Sequence, residues 1–266
     1  LPGFGLTLGG SVFYLTLVVL LPIAALCVKT LQQSWPELWR QATNHRAIAS
    51  YEMSLGASFV AALLNAIFGS LLAWVLVRYE FPGRRLLDGL IDFPFALPTA
   101  VAGLTLANLF SPHGWLGKFL TPLGFHGAFS RAGVVIALTF VGLPFAVRTL
   151  QPVLEEFDSE VEEAAASLGA GRWRTFTRVI APALAPSVLS GFGLSFARAL
   201  GEYGSVVFIS GNLPNTEIAP SLIVTRLEGY DYAGAMSVAL VLLIFSFTTL
   251  LILNWLQHRA SEFQRA

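Results

Sequence analysis

Apolar and polar positions along this chain fall into long blocks, without the short-period stripes of a soluble helix or a half-buried strand. Six apolar runs stand out: Leu6–Val28, Met53–Val77, Phe93–Leu109, Ala132–Val147, Pro186–Gly211 and Tyr232–Trp255. Crossing about 30 Å of hydrocarbon takes roughly 20 apolar residues in helical form. Only a helix or a closed barrel satisfies its own backbone groups there. The blocks therefore predict six spanning helices. Pro98 is expected to kink the third, and the fourth, which contains Pro144, is expected to reach Leu150. Arg198 and Glu202 interrupt the fifth. The first run is too long for a signal-peptide core and has no small-residue cleavage site after it, so it reads as a retained span. The chain opens on Leu1 and not on Met, so further residues are expected ahead of it.

Composition agrees with lipid as the solvent. Charged residues make up 12% of the 266 positions, about half the share of a soluble domain. Hydrophobic residues make up 55%, and the mean hydropathy is +0.68. The formal net charge of zero gives no basic footprint for nucleic acid. Cys27 is the single cysteine, so no intrachain disulfide forms. His45, His113, His126 and His258 are scattered without ligand spacing, and no metal site is expected. No repeat or low-complexity tract divides the chain, so residues 1–266 are expected to form one all-α membrane domain.

Orientation follows from Lys and Arg in the connections. With the N-terminus in the cytoplasm, that side carries Arg78, Arg84, Arg85, Arg148, Arg172, Arg174, Arg178, Arg259 and Arg265. The other side carries Lys29, Arg40, Arg46, Lys118, Arg131 and Arg226. The excess favours cytoplasmic termini and places the longest polar connection, residues 151–185, in the cytoplasm. Trp35, Trp39, Trp115 and Trp255 lie near span boundaries, as an interfacial belt requires. Asp88 and Asp92 are expected to mark the cytoplasmic boundary of the third span.

The 151–185 connection is the most informative stretch. Ser159 and Glu162 match a capping box, and Glu160, Glu162 and Glu163 complement the positive end of a helix. Gly169 and Gly171 can stop that helix. A second helix is expected from Arg172 to about Ala181, ahead of Pro182 and Pro186. From spacing alone, a solvated amphipathic loop accounts for the stretch as well as a docking surface does.

Glu163, Ala164 and Ala165, then Gly169, then Val179-Ile180-Ala181-Pro182, resemble the Glu-Ala-Ala signature of permease subunits in binding-protein-dependent ATP-binding-cassette importers. Val179 and Ala181 depart from the usual Ile and Leu but stay apolar. The resemblance, with six spans and the loop between the fourth and fifth, covers essentially the whole chain. It implies the type I importer (MetI-like) permease fold. It also implies that Glu163, Ala164, Ala165, Gly169 and Pro182 belong to a coupling loop docking on an ATPase subunit. No G-x-x-x-x-G-K-[ST] sequence occurs, so ATP and Mg2+ are expected on that partner, with no catalytic residue or cofactor here.

In the fifth span, Arg198 and Glu202 are four apart and share a helix face. Charges at membrane depth face a bundle interior or a water-filled path. Two readings stay open: a translocation path or permease interface served by Arg198, Glu202, Tyr203, Ser205 and Ser210, or a buried ion pair that fixes packing. The run Arg198–Asn212, followed by Thr216-Glu217-Ile218-Ala219-Pro220, resembles the T-type permease of sulfate/thiosulfate importers. Leu1–Leu6 and Asp92–Leu106 resemble the same subunit. The resemblance implies a homologous second permease, two ATPase copies and a periplasmic sulfate-binding protein as partners, in a bacterial-type inner membrane. The rival readings are a molybdate or tungstate permease, a passive anion channel and a membrane-embedded enzyme. The last lacks a visible nucleophile/base or metal set, and a channel has no need of a docking loop.

Overall fold

The computed structural model describes residues 3–262, and the side chains of 159 and 258–262 fall outside the description. Leu1, Pro2 and Arg265, and the Arg259 side chain, which entered the readings above, therefore lie outside it. The described chain is helical throughout, with no strand. In order, the helices are α1 (Phe4–Leu31), α2 (Trp35–Ala42), α3 (His45–Arg78), α4 (Arg84–Ile91), α5 (Phe93–Ala96), α6 (Thr99–Phe110) and α7 (Gly117–Leu120). They continue as α8 (Arg131–Glu155), α9 (Ser159–Ser167), α10 (Arg172–Leu200), α11 (Gly204–Ser210), α12 (Ala219–Glu228) and α13 (Tyr232–Glu262).

Among the described residues, five helices are long and apolar enough to cross a membrane: α1, α3, α8, α10 and α13. The chain is a multi-pass membrane protein. The expected third span, Phe93–Leu109, is not one kinked helix. Leu97 is extended (ψ 135°), so the run splits into α5 and the shorter apolar α6. The Pro98 ring crowds the backbone of the residue before it and drives that residue out of the helical region.

The expected fifth span is also redrawn. α10 starts at Arg172, not Pro186, and no second short helix ends at Ala181. Pro182 lacks an amide hydrogen and would crowd the carbonyl four residues earlier. The turn ahead of it widens into a π-helical stretch at Phe176–Ile180, and the helix continues. α1 repeats the pattern, with a π-helical stretch at Thr16–Leu20 just before Pro22. The break comes instead at Gly201–Tyr203, and α11 follows as a separate helix.

The long helices α3, α8 and α10 pack against one another. Lipid is as apolar as a leucine side chain, so association rests on close packing and hydrogen bonds. Gly69 of α3 and Gly191 of α10 both abut Ala146 of α8, and these small residues bring the three backbones together. Nearby, Asn65 Nδ2 donates to Ser195 Oγ at 2.8 Å, a bond worth about 0.6 kcal/mol in such a setting.

Two buried clusters flank this seam. One holds Leu76, Ile91, Val147, Leu150, Leu154, Ile180 and Leu184. The other holds Val134, Leu138, Val206, Ile209 and Ile218. The first lies at the end of the bundle where α3 stops and α10 starts, here called the loop end. The opposite end is tied by Arg46–Glu217 and by Gln33 donating to the Ala233 carbonyl.

Candidate functional site

The 151–185 connection folds as α9 and the first turns of α10, joined by a tight reversal. The Asp158 side chain accepts from the Glu160 amide at 2.9 Å and caps α9. Ser159 is already helical, so the expected Ser159/Glu162 capping box is not what starts the helix. Gly169 takes φ +80°, a left-handed backbone that disfavours any residue with a Cβ. Ala170 N donates to the Ala165 carbonyl and Gly169 N to the Ala166 carbonyl, which closes the helix end. Glu163 and Ala164 are exposed on α9, Ala165 is half-buried, and Pro182 lies inside α10 past the widened turn.

Glu162 points the other way. Its Oε1 accepts from Arg78 Nη2 at 2.5 Å, with the two side chains 29% and 23% exposed. The Arg78 guanidinium lies 5.1 Å from the Trp74 ring centroid and 5.8 Å from that of Phe157. Trp74 also meets Phe176 edge-on, at 5.9 Å between centroids.

A second arginine closes the same end. Arg148 Nε and Nη2 reach the two carboxylate oxygens of Asp92, at 2.9 and 2.6 Å. Nη1 reaches Asp88 Oδ1 at 2.6 Å and Gln151 Oε1 at 2.5 Å. Nη2 also donates to the Asp88 carbonyl at 2.9 Å. The hydrogen bond from Arg148 holds the Asp88 carboxyl below its ordinary range, against a smaller opposing effect of burial. Asp88 and Asp92 thus do more than mark a boundary: they fasten α4 and the residue after it to α8.

The Arg198–Glu202 pair forms, with Nη1 and Oε2 2.5 Å apart. Glu202 lies beyond the end of α10, and its carboxylate is buried. Its Oε1 accepts from the Ser205 amide at 3.0 Å and from Ser205 Oγ at 3.1 Å, so it caps α11. Ser205 is fully buried and Tyr203 half-buried. Ser210 is spent on a turn, where its Oγ accepts from the Asn212 amide and its carbonyl from Thr216 Oγ1. The geometry joins Arg198, Glu202 and Ser205 into one unit and leaves Ser210 in a separate one.

The Arg148 cluster and the Arg78–Glu162 pair were not foreseen. Arg148 carried a signal: the fourth apolar run was expected to reach Leu150, so a charge inside that extension needed a partner. Asp88 and Asp92, one helical turn apart, were available for it.

The model of the family described as the binding-protein-dependent transport system inner membrane component matches residues 65–262. The sulfate transport system permease protein CysT of Escherichia coli (strain K12) is 48% identical over 260 residues, covering 97% of this chain and 94% of that protein. The protein of the same name from Synechococcus elongatus is 53% identical over 251 residues, covering 94% and 90%. Among solved structures, a bacterial ABC transporter that imports the acidic polysaccharide alginate superposes with a TM-score of 0.78 at 15% identity, over 95% of this chain and 94% of that one. The MetNI methionine ABC transporter superposes at 0.60 and 16% identity, over 86% and 99%. These two likenesses carry the fold alone, the MetI-like permease fold.

Proposed function

The chain belongs to the family of binding-protein-dependent transport system inner membrane components, and from that membership we propose that it is a permease subunit of an ATP-driven sulfate importer. The observation that carries the substrate is the 48–53% identity to sulfate permeases across nearly the whole chain. Structural likeness at 15% identity carries none.

In this reading the chain sits in an inner membrane with its loop end in the cytoplasm. It pairs with a homologous permease, two ATPase copies and a periplasmic sulfate-binding protein. α9 is the contact for the ATPase. Exposed Glu163 and Ala164 face that partner, and Gly169 allows the reversal that holds α9 across the end of the bundle. ATP and Mg2+ bind the partner, and closure of the ATPase pair moves the membrane helices between two arrangements. Sulfate is costly to strip of water, so the binding protein selects it and the permease supplies a gated path. Arg198, Glu202, Tyr203 and Ser205 lie at the break between α10 and α11, where a path or the second permease meets them.

Uptake of labelled sulfate into proteoliposomes holding this chain with its three kinds of partner tests the reading. ATP-dependent uptake, resistant to excess molybdate and lost in Glu163→Gln or Gly169→Val complexes that still assemble, is the expected result. Uptake of molybdate alone would overturn the substrate, and uptake without ATP would overturn the importer.

A further inference from the structure

We infer that Arg78 is a positioning residue for energy coupling: it braces α9 against α3 through Glu162, so that force applied to α9 reaches the packed core. The inference rests on the reading of α9 as the ATPase contact. Successive helical residues point about 100° apart. Glu162 and Glu163 therefore divide the work, with Glu162 turned in toward α3 and Glu163 left exposed for a partner.

α9 has little else to lean on. Behind it lies an open cavity of about 590 Å³, lined by Trp74, Glu162, Ala166, Ala170, Arg172 and Trp173 among others. Short connections tether the helix at both ends, one of them the tight reversal at Gly169. A helix held only at its ends can tilt into the space behind it when pushed. The Arg78–Glu162 bond ties α9 to α3 at the edge of that space, where Glu162 is part of the lining. Trp74 and Phe157 hold the guanidinium in place, each at a distance where an aromatic face attracts a cation. Arg78 is the last residue of α3, and α3 packs on both α8 and α10. The brace thus ends on the helix best placed to carry motion into the core.

The bond is also suited to reversal. Among the described residues, Glu162 is the acidic partner of Arg78, and Arg78 Nε is buried with no acceptor. A single, partly exposed ion pair contributes modestly to stability, so this bond can break and re-form.

The test uses the assembled importer in proteoliposomes and reads sulfate moved per ATP hydrolysed. Arg78→Ala is expected to lower that ratio by about fivefold or more, the scale of ordinary coupling energies. The exchanged pair Arg78→Glu with Glu162→Arg is expected to recover most of it. A wild-type ratio in Arg78→Ala, or an exchanged pair no better than the single variants, overturns the brace. Where Arg78→Ala fails to assemble, the exchanged pair decides: regained assembly and ratio support the brace, and continued failure overturns it. A wild-type complex that shows no ATP-dependent uptake refutes the importer reading instead, so the two failures are distinguishable.

Discussion

Two arginines close the loop end of the bundle, and they do so differently. Arg148 spends its whole fork: Nε, Nη1 and Nη2 together reach two carboxylates, an amide oxygen and a backbone carbonyl. Arg78 makes one short bond to one carboxylate and rests between two rings. A guanidinium is a rigid planar donor set, so filling every donor fixes both position and angle. Filling one fixes length and leaves angle free. Arg148 is a clamp that holds α4 on α8. Arg78 is a strut whose far end, α9, has room to move.

The comparison breaks first at Arg148. Arg148→Ala strands two carboxylates and a carbonyl, and the apparent melting temperature of the purified complex is expected to fall by the equivalent of about 2 kcal/mol. That figure is discounted for the partial exposure of the cluster. Arg148→Lys keeps the charge but cannot serve both aspartates, and should recover less than half of the loss. Arg78→Ala should cost about 1 kcal/mol on the same scale, because one bond and two ring contacts go. A larger stability loss at Arg78 than at Arg148 would reverse the assignment of clamp and strut.

Acid sharpens the contrast. Asp88 has its pKa lowered from 3.8 by the bond from Arg148. A depressed carboxyl contributes stability that is present above its unfolded pKa and lost as pH falls through the folded one. The clamp is therefore expected to hold from neutral pH to about pH 4 and to weaken below it. Asp88→Asn should remove that part of the acid loss in a melting series. The smallest effect belongs to Arg40 and Glu37, an i,i+3 pair on α2 with the Arg40 side chain 74% exposed. Arg40→Ala should leave melting and transport unchanged within error. It is the control that separates buried from solvated pairing.

Much of this architecture is legible in the chain. The first, second, fourth and sixth apolar runs become α1, α3, α8 and α13, because a long charge-free run has few alternatives in lipid. The left-handed turn after α9 is legible in Gly169. Proline proved the ambiguous letter. Pro98 splits a run because the residue before it must leave the helix, whereas Pro182 is absorbed by a widened turn. Nothing local to either residue separates these outcomes. The two braces are hidden for a different reason. Asp88 and Arg148 are 60 residues apart, and Arg78 and Glu162 are 84 apart. Only the packing of α3 on α8 decides that they meet.

At one crossing in the structure, backbone meets backbone. A Cβ on Gly103 of α6 would run into the Ser205 carbonyl, and one on Gly204 into Thr99 Oγ1. Beside that crossing Ala107 of α6 and Val206 and Ile209 of α11 share one buried cluster, so the close backbone approach and the packed side chains hold the two helices together. Both belong to runs that were expected to be single spans and are broken instead. The breaks bring two short helices together, and the glycines let them come this close. The contact thereby fixes where α11 sits, and with it the Glu202 carboxylate that caps it.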